Sequence, residues 1–123
     1  MVEEAVAGGL TDVLFITNNN KVSIENHFDR MSGLEEVLES RGDDEQRSVV
    51  QDVAELANFH YVRQKQALGL GHAVSVAASH VGDEPFVVML GDDLVDEATP
   101  VLPDMLAARE AFGVSILCLT EVP

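Results

Sequence analysis

Four short runs of β-branched, aromatic and other apolar residues, separated by helical patterns, constrain the fold of this chain more than any other feature. They are Val13-Leu14-Phe15-Ile16-Thr17, Phe59-His60-Tyr61-Val62, Phe86-Val87-Val88-Met89-Leu90 and Val114-Ser115-Ile116-Leu117-Cys118-Leu119. Three of the four are nearly continuous in apolar residues, as strands covered on both faces are; a half-exposed sheet would alternate. They are expected to be parallel strands. Between them, Ile24 and Phe28 fall at i,i+4 behind a Ser23 cap, and Val49, Val53, Leu56 and Ala57 mark a second amphipathic helix. A small-residue helix over Ala73 to Val81 is entered through Gly69-Leu70-Gly71. Thr99-Pro100 offers a cap and a first-turn proline before Val101, Met105, Ala108 and Phe112. The expected order is α-β-α-α-β-α-β-α-β. The class is α/β and Rossmann-like, with parallel strands and helices on both faces.

A chain of 123 residues suits one domain. Its 46% hydrophobic content is too high for disorder, and a buried core is expected. The 22 acidic residues outnumber the 7 basic ones, for a formal charge of −15. Lys21, Arg30, Arg41, Arg47, Arg63, Lys65 and Arg109 are scattered, so nucleic acid and anionic membrane are poor partners. Cys118 is the single cysteine and lies within an apolar run, where a buried, unreactive thiol is expected. No stretch approaches the ~20 apolar residues of a membrane span, and Met1-Val2-Glu3-Glu4 lacks the basic start of a signal peptide. The expectation is a soluble, cytoplasmic protein.

In parallel sheets ligands gather at the carboxyl ends of the strands. After the first run, Thr17-Asn18-Asn19-Asn20-Lys21 suits a turn. After the second come Arg63-Gln64 and then Gly69-Leu70-Gly71-His72-Ala73. A glutamine carboxamide both donates and accepts, so Gln64 can pair with the imide edge of a pyrimidine such as uracil. Gly69 lets a ligand approach the backbone closely. A plain strand-to-helix turn accounts for the same residues, and a histidine such as His72 is more often a packing or capping residue than a ligand. The pattern is neither G-x-G-x-x-G nor a P-loop. After the third run, Gly91-Asp92-Asp93-Leu94 sets two carboxylates side by side, able to hold a hard cation such as Mg²⁺ or to form a solvated turn with Asp96 and Glu97.

Val2-Glu3-Glu4-Ala5-Val6, Ser23 to Phe28, Val62-Arg63-Gln64, Gly69 to Val74, Val81-Gly82-Asp83-Glu84-Pro85-Phe86 and Gly91-Asp92-Asp93 stand in this order along the chain. Together they resemble bacterial UTP-glucose-1-phosphate uridylyltransferases, and the Gly-Asp-Asp form is similar to actinobacterial members. The resemblance implies a partial nucleotidyltransferase sheet. It also implies an enzyme that makes UDP-glucose and pyrophosphate from UTP and glucose 1-phosphate with Mg²⁺, often as a homo-oligomer. It makes Gln64 and Gly69 the uracil-reading residues and Asp92 the metal aspartate, with Asp93 beside it. No catalytic residue is assigned.

The departures from the family's pattern are large. The G-x-G-T-R phosphate loop with its lysine is missing, as are the later sugar-binding strands, the second metal aspartate and a later lysine. Leu68 stands where many members have lysine. Residues 1–123 are therefore expected to form a single partial domain, less than half of a family member and inactive alone. In the family's sheet, the missing first strand lies between the first and third runs here. Unpaired strand edges, marginal stability and self-association are therefore expected. The alternative readings are a non-catalytic uridine-nucleotide-binding or interaction module, and an unrelated acidic regulatory domain.

Overall fold

The computed structural model describes residues 1–18, 22–93, 95–96 and 99–121. These fall into two units, one of Leu10–Val88 and one of Met1–Gly9 with the described residues from Met89 onward. Asn19, Asn20 and Lys21 of the expected first turn, and Leu94 and Glu97 of the acidic one, lie outside the described residues.

The Leu10–Val88 unit is built on two parallel strands, β1 (Asp12–Thr17) and β2 (Asn58–Arg63). Their register runs from Asp12 opposite Asn58 to Thr17 opposite Arg63. The ladder continues at both ends, where Asn58 N–H donates to Thr11 O (2.8 Å) and Gln64 N–H to Thr17 O (2.9 Å). The connection between the strands carries α2 (Val22–Phe28), α3 (Ser32–Ser40) and α4 (Asp44–Glu55). The Ile24/Phe28 and Val49/Val53 patterns identify α2 and α4. The intervening α3, with Leu34, Val37 and Leu38 at i, i+3, i+4, adds a third helix to the two expected. Ser23 lies inside the first turn of α2 and does not cap it.

Alternation along the strands sorts the side chains onto two faces. Phe15, Phe59 and Tyr61 share one face, with Phe15 stacked 5.9 Å from Phe59 and 5.6 Å from Tyr61 between centroids. Phe28 of α2 closes over them, 5.1 Å from Phe15 and 4.6 Å from Phe59. On the other face His60 meets His80 of a short helix, at 4.6 Å. Helices thus lie on both faces, as the apolar runs predict.

β2 is followed by α5 (Leu70–Ser75) and α6 (Ala78–Val81) in place of the single helix expected over Ala73 to Val81. The break falls at Val76-Ala77, where Ala77 N–H bonds to Val74 O instead of continuing the α-helical pattern.

In the other unit, α1 is Val2–Ala7 and α7 is Val101–Phe112. Leu102, 3% exposed, packs over Gly8, where a Cβ would stand 3.0 Å from Leu102 Cδ2. Pro100 occupies the cap position expected of Thr99, and the first-turn proline is Pro103, whose missing N–H would be unpaired there in any case.

The Phe86–Leu90 and Val114–Leu119 runs form no strand among the described residues, which corrects the expectation of four strands. A strand exists through its ladder, and these runs lack a neighbour to complete one. Cys118 follows from the same cause: it is exposed, not buried, because its run joins no sheet. The expected core is correspondingly small. Ala5, Leu38, Ala77 and Leu102 are its buried apolar members, and no large side chain among the described residues is wholly enclosed.

Candidate functional site

Gln64 lies one residue beyond β2, at the strand's carboxyl end. Its backbone N–H is held by Thr17 O of β1, so the end of the sheet fixes where its side chain starts. The turn from Lys65 to Leu68 then brings the chain to Gly69, which opens α5 with φ +93° and ψ 177°. Only glycine takes that conformation without strain. No atom lies within 4 Å of where a Cβ at Gly69 would stand, leaving that side of the backbone open.

The Gln64 carboxamide is tied down at its nitrogen. Nε2 donates to Gly69 O at 3.1 Å and lies 2.9 Å from His72 Nδ1, on the first turn of α5. An amide nitrogen has two hydrogens and no acceptor capacity, so both are committed and His72 Nδ1 is the acceptor. Gly69 O also takes Ala73 N–H at 3.1 Å, which locks the turn to the helix. Gln64 Oε1 is left without a protein partner among the described residues. His72, which sequence leaves open as a ligand or as a packing or capping histidine, is half-buried, makes no side-chain cap bond to α5 and stands against the Gln64 carboxamide.

At the same ends of the strands, Glu25 of α2 accepts from Thr17 Oγ1 at 3.3 Å and lies 3.7 Å from Arg63 Nη2. The Arg63 charge is thereby partly answered beside Gln64.

Asp92 and Asp93 are exposed in the second unit, on a turn closed by Asp93 N–H to Leu90 O at 3.1 Å. No cluster of three or more His, Cys, Asp or Glu among the described residues is placed to hold a metal ion. One or two carboxylates are nevertheless the usual protein share around Mg²⁺, which takes its remaining oxygens from water and substrate phosphates. The donor chemistry of Asp92 and Asp93 fits such a role. The structure brings Gln64, Gly69 and His72 together in one unit, and Asp92 and Asp93 in the other.

A two-stranded parallel sheet with helices on both faces and a glutamine-glycine turn at its carboxyl end defines a partial, Rossmann-like α/β fold. Comparison with known proteins then makes the class particular. The chain is 46% identical over 122 residues to a UTP-glucose-1-phosphate uridylyltransferase of Bacillus subtilis, covering 99% of this chain and 41% of that protein. It is 44% identical to one of Staphylococcus haemolyticus, covering 100% of this chain and 43% of that protein. Among solved structures, a UTP-bound UDP-glucose pyrophosphorylase of Acinetobacter baumannii matches with a TM-score of 0.85 at 35% identity, over 91% of this chain and 42% of that one. A UDP-glucose pyrophosphorylase complexed with UDP-glucose matches at 0.70 and 36% identity, over 91% of this chain and 40% of that one. No family model matches the chain. The chain is similar over its whole length to these bacterial UTP-glucose-1-phosphate uridylyltransferases and spans about two fifths of the length of the relatives it matches.

Proposed function

We propose that this chain carries the uridine-reading part of a UTP-glucose-1-phosphate uridylyltransferase, which joins UTP and glucose 1-phosphate to give UDP-glucose and pyrophosphate. One observation carries the reading: a glutamine carboxamide, ordered at its nitrogen, stands at the carboxyl end of a parallel strand beside the open backbone of Gly69. Gln64 Oε1 accepts the imide N–H of uracil, and the Gly69 N–H donates to a neighbouring carbonyl. The pair is complementary to uracil, and cytosine presents a bare ring nitrogen where Oε1 needs a hydrogen. Homologues whose structures hold UTP and UDP-glucose support the same ligand class.

Asp92 is the metal ligand in this reading, with Asp93 beside it. Bound Mg²⁺ supplies charge neutralisation at the reacting phosphates. The chain's own residues bind and orient; none is assigned as an acid, base or nucleophile, because phosphoryl transfer of this kind rests on positioning and electrostatics. Residues 1–123 form a partial nucleotidyltransferase domain, working in the cytoplasm, where UTP is supplied.

Titration calorimetry of the chain with UDP-glucose tests the reading. Micromolar binding that Gln64→Ala abolishes is expected, with no turnover of UTP and glucose 1-phosphate by the chain alone. Binding that survives Gln64→Ala, or no binding at all, overturns the base-reading assignment. Turnover overturns the assignment as an inactive part.

A further inference from the structure

We propose that His72 is a positioning residue that sets the hydrogen-bond polarity of Gln64, and through it the choice of uracil over cytosine. The inference rests on the base-reading role proposed for Gln64. A terminal carboxamide rotates between two orientations of nearly identical shape, one presenting oxygen to a ligand and the other nitrogen. The position of Gln64 does not itself choose between them. Two contacts do: Gly69 O at 3.1 Å, which can only accept, takes one hydrogen of Nε2, and His72 Nδ1 at 2.9 Å takes the other in the tautomer that leaves Nδ1 bare. In the flipped orientation the carboxamide oxygen would face the Gly69 carbonyl with no hydrogen on that contact, and would find one at His72 only in the tautomer that carries its hydrogen on Nδ1; with the nitrogen on Gly69 O, its second hydrogen points at the ring. The ring nitrogen must therefore be unprotonated, which places the imidazole hydrogen on Nε2.

His72 is itself held. Its backbone carbonyl accepts from Val76 N–H at 3.2 Å and from Ser75 Oγ at 2.8 Å, which fixes where the side chain starts. The consequence is a directed acceptor. Gln64 Oε1 faces the ligand side, where it pairs with an imide N–H and repels a bare ring nitrogen. Removing the ring leaves Gly69 O as the sole acceptor. One amide hydrogen is then free, and the nitrogen can turn towards the base.

The test uses the whole 123-residue chain, with UDP and CDP as probes. Wild type prefers UDP. His72→Ala narrows the UDP-to-CDP affinity ratio by about tenfold, the worth of one directed hydrogen bond. His72→Asn, whose side-chain oxygen can occupy the place of Nδ1, restores it. In the wild type without nucleotide, nitrogen-15 shifts of the His72 ring are expected to identify Nδ1 as the unprotonated nitrogen. An unchanged ratio in His72→Ala, a ratio that His72→Asn fails to restore, or a hydrogen on Nδ1 overturns the role of His72 and leaves the reading of Gln64 standing. Wild type with no preference for UDP, or with no binding of either nucleotide, overturns the reading of Gln64 and this inference with it.

Discussion

Glu35 is buried on α3 and draws its partners from two other segments: Arg30 Nε donates to Oε1 at 2.8 Å and Gln51 Nε2 of α4 to Oε2 at 2.9 Å. The Arg30 hydrogen bond, then that of Gln51, holds its carboxyl at about 2, down from 4.5. The folded value lies below the unfolded one, so the stabilisation is complete above about pH 4.5 and is lost as pH falls from there towards 2. Glu35→Gln is expected to lower stability at neutral pH and to flatten the stability profile over that acid range, measured by urea unfolding at several pH values. Tyr61 presents the reverse case. Its hydroxyl is buried without a partner among the described residues, and burial, then the Asp29 and Glu25 carboxylates, raise its pKa. Tyr61→Phe should stabilise the chain by about 1 kcal/mol by removing an unpaired polar group, read from the urea midpoint. Gln64 and Gly69 were legible as candidates from their place at a strand's carboxyl end, although a plain strand-to-helix turn accounts for the same residues, and the resemblance is what set them apart. The contact of the carboxamide with His72 was not legible, because it joins residues eight positions apart and sequence reads that histidine more readily as packing or capping.

Among the described residues α4 has a formed side-chain cap: Asp43 accepts from Gln46 N–H at 3.2 Å, and Asp44 and Glu45 add negative charge to the first turn. Asp43→Ala should cost about 1 kcal/mol, seen as a lower urea midpoint, and Asp43→Ser should recover most of it. The elements divide by what their formation depends on. β1, β2, α2, α4 and α7 were legible because their patterns are local and their partners lie within the chain. The Phe86–Leu90 and Val114–Leu119 runs have the composition of strands but pair with none, since β propensity expresses fit to neighbours and not a property of the run alone. Cys118 was misplaced for that reason. The division of α5 from α6 left no mark in an uninterrupted row of small residues.

The described residues leave large apolar side chains in water within each unit: Phe86 at 56% exposed in one, and Phe112, Leu117 and Leu119 at 74%, 80% and 85% in the other. β1 and β2 also form a sheet of two strands, each with one open edge. Open edges and exposed apolar runs favour pairing between chains. Sedimentation velocity is therefore expected to show concentration-dependent self-association, reduced by Leu117→Lys with Leu119→Lys. A monodisperse wild-type monomer that melts cooperatively would contradict that expectation. The central claim, that the turn after β2 reads uridine, is tested most directly by following backbone and side-chain amide resonances of the whole chain during titration with UTP. The account predicts that the Gly69 amide and the Gln64 carboxamide shift first and furthest, and that Gln64→Ala removes the response. Unmoved resonances at both positions under saturating UTP, or shifts confined to other parts of the chain, would contradict it.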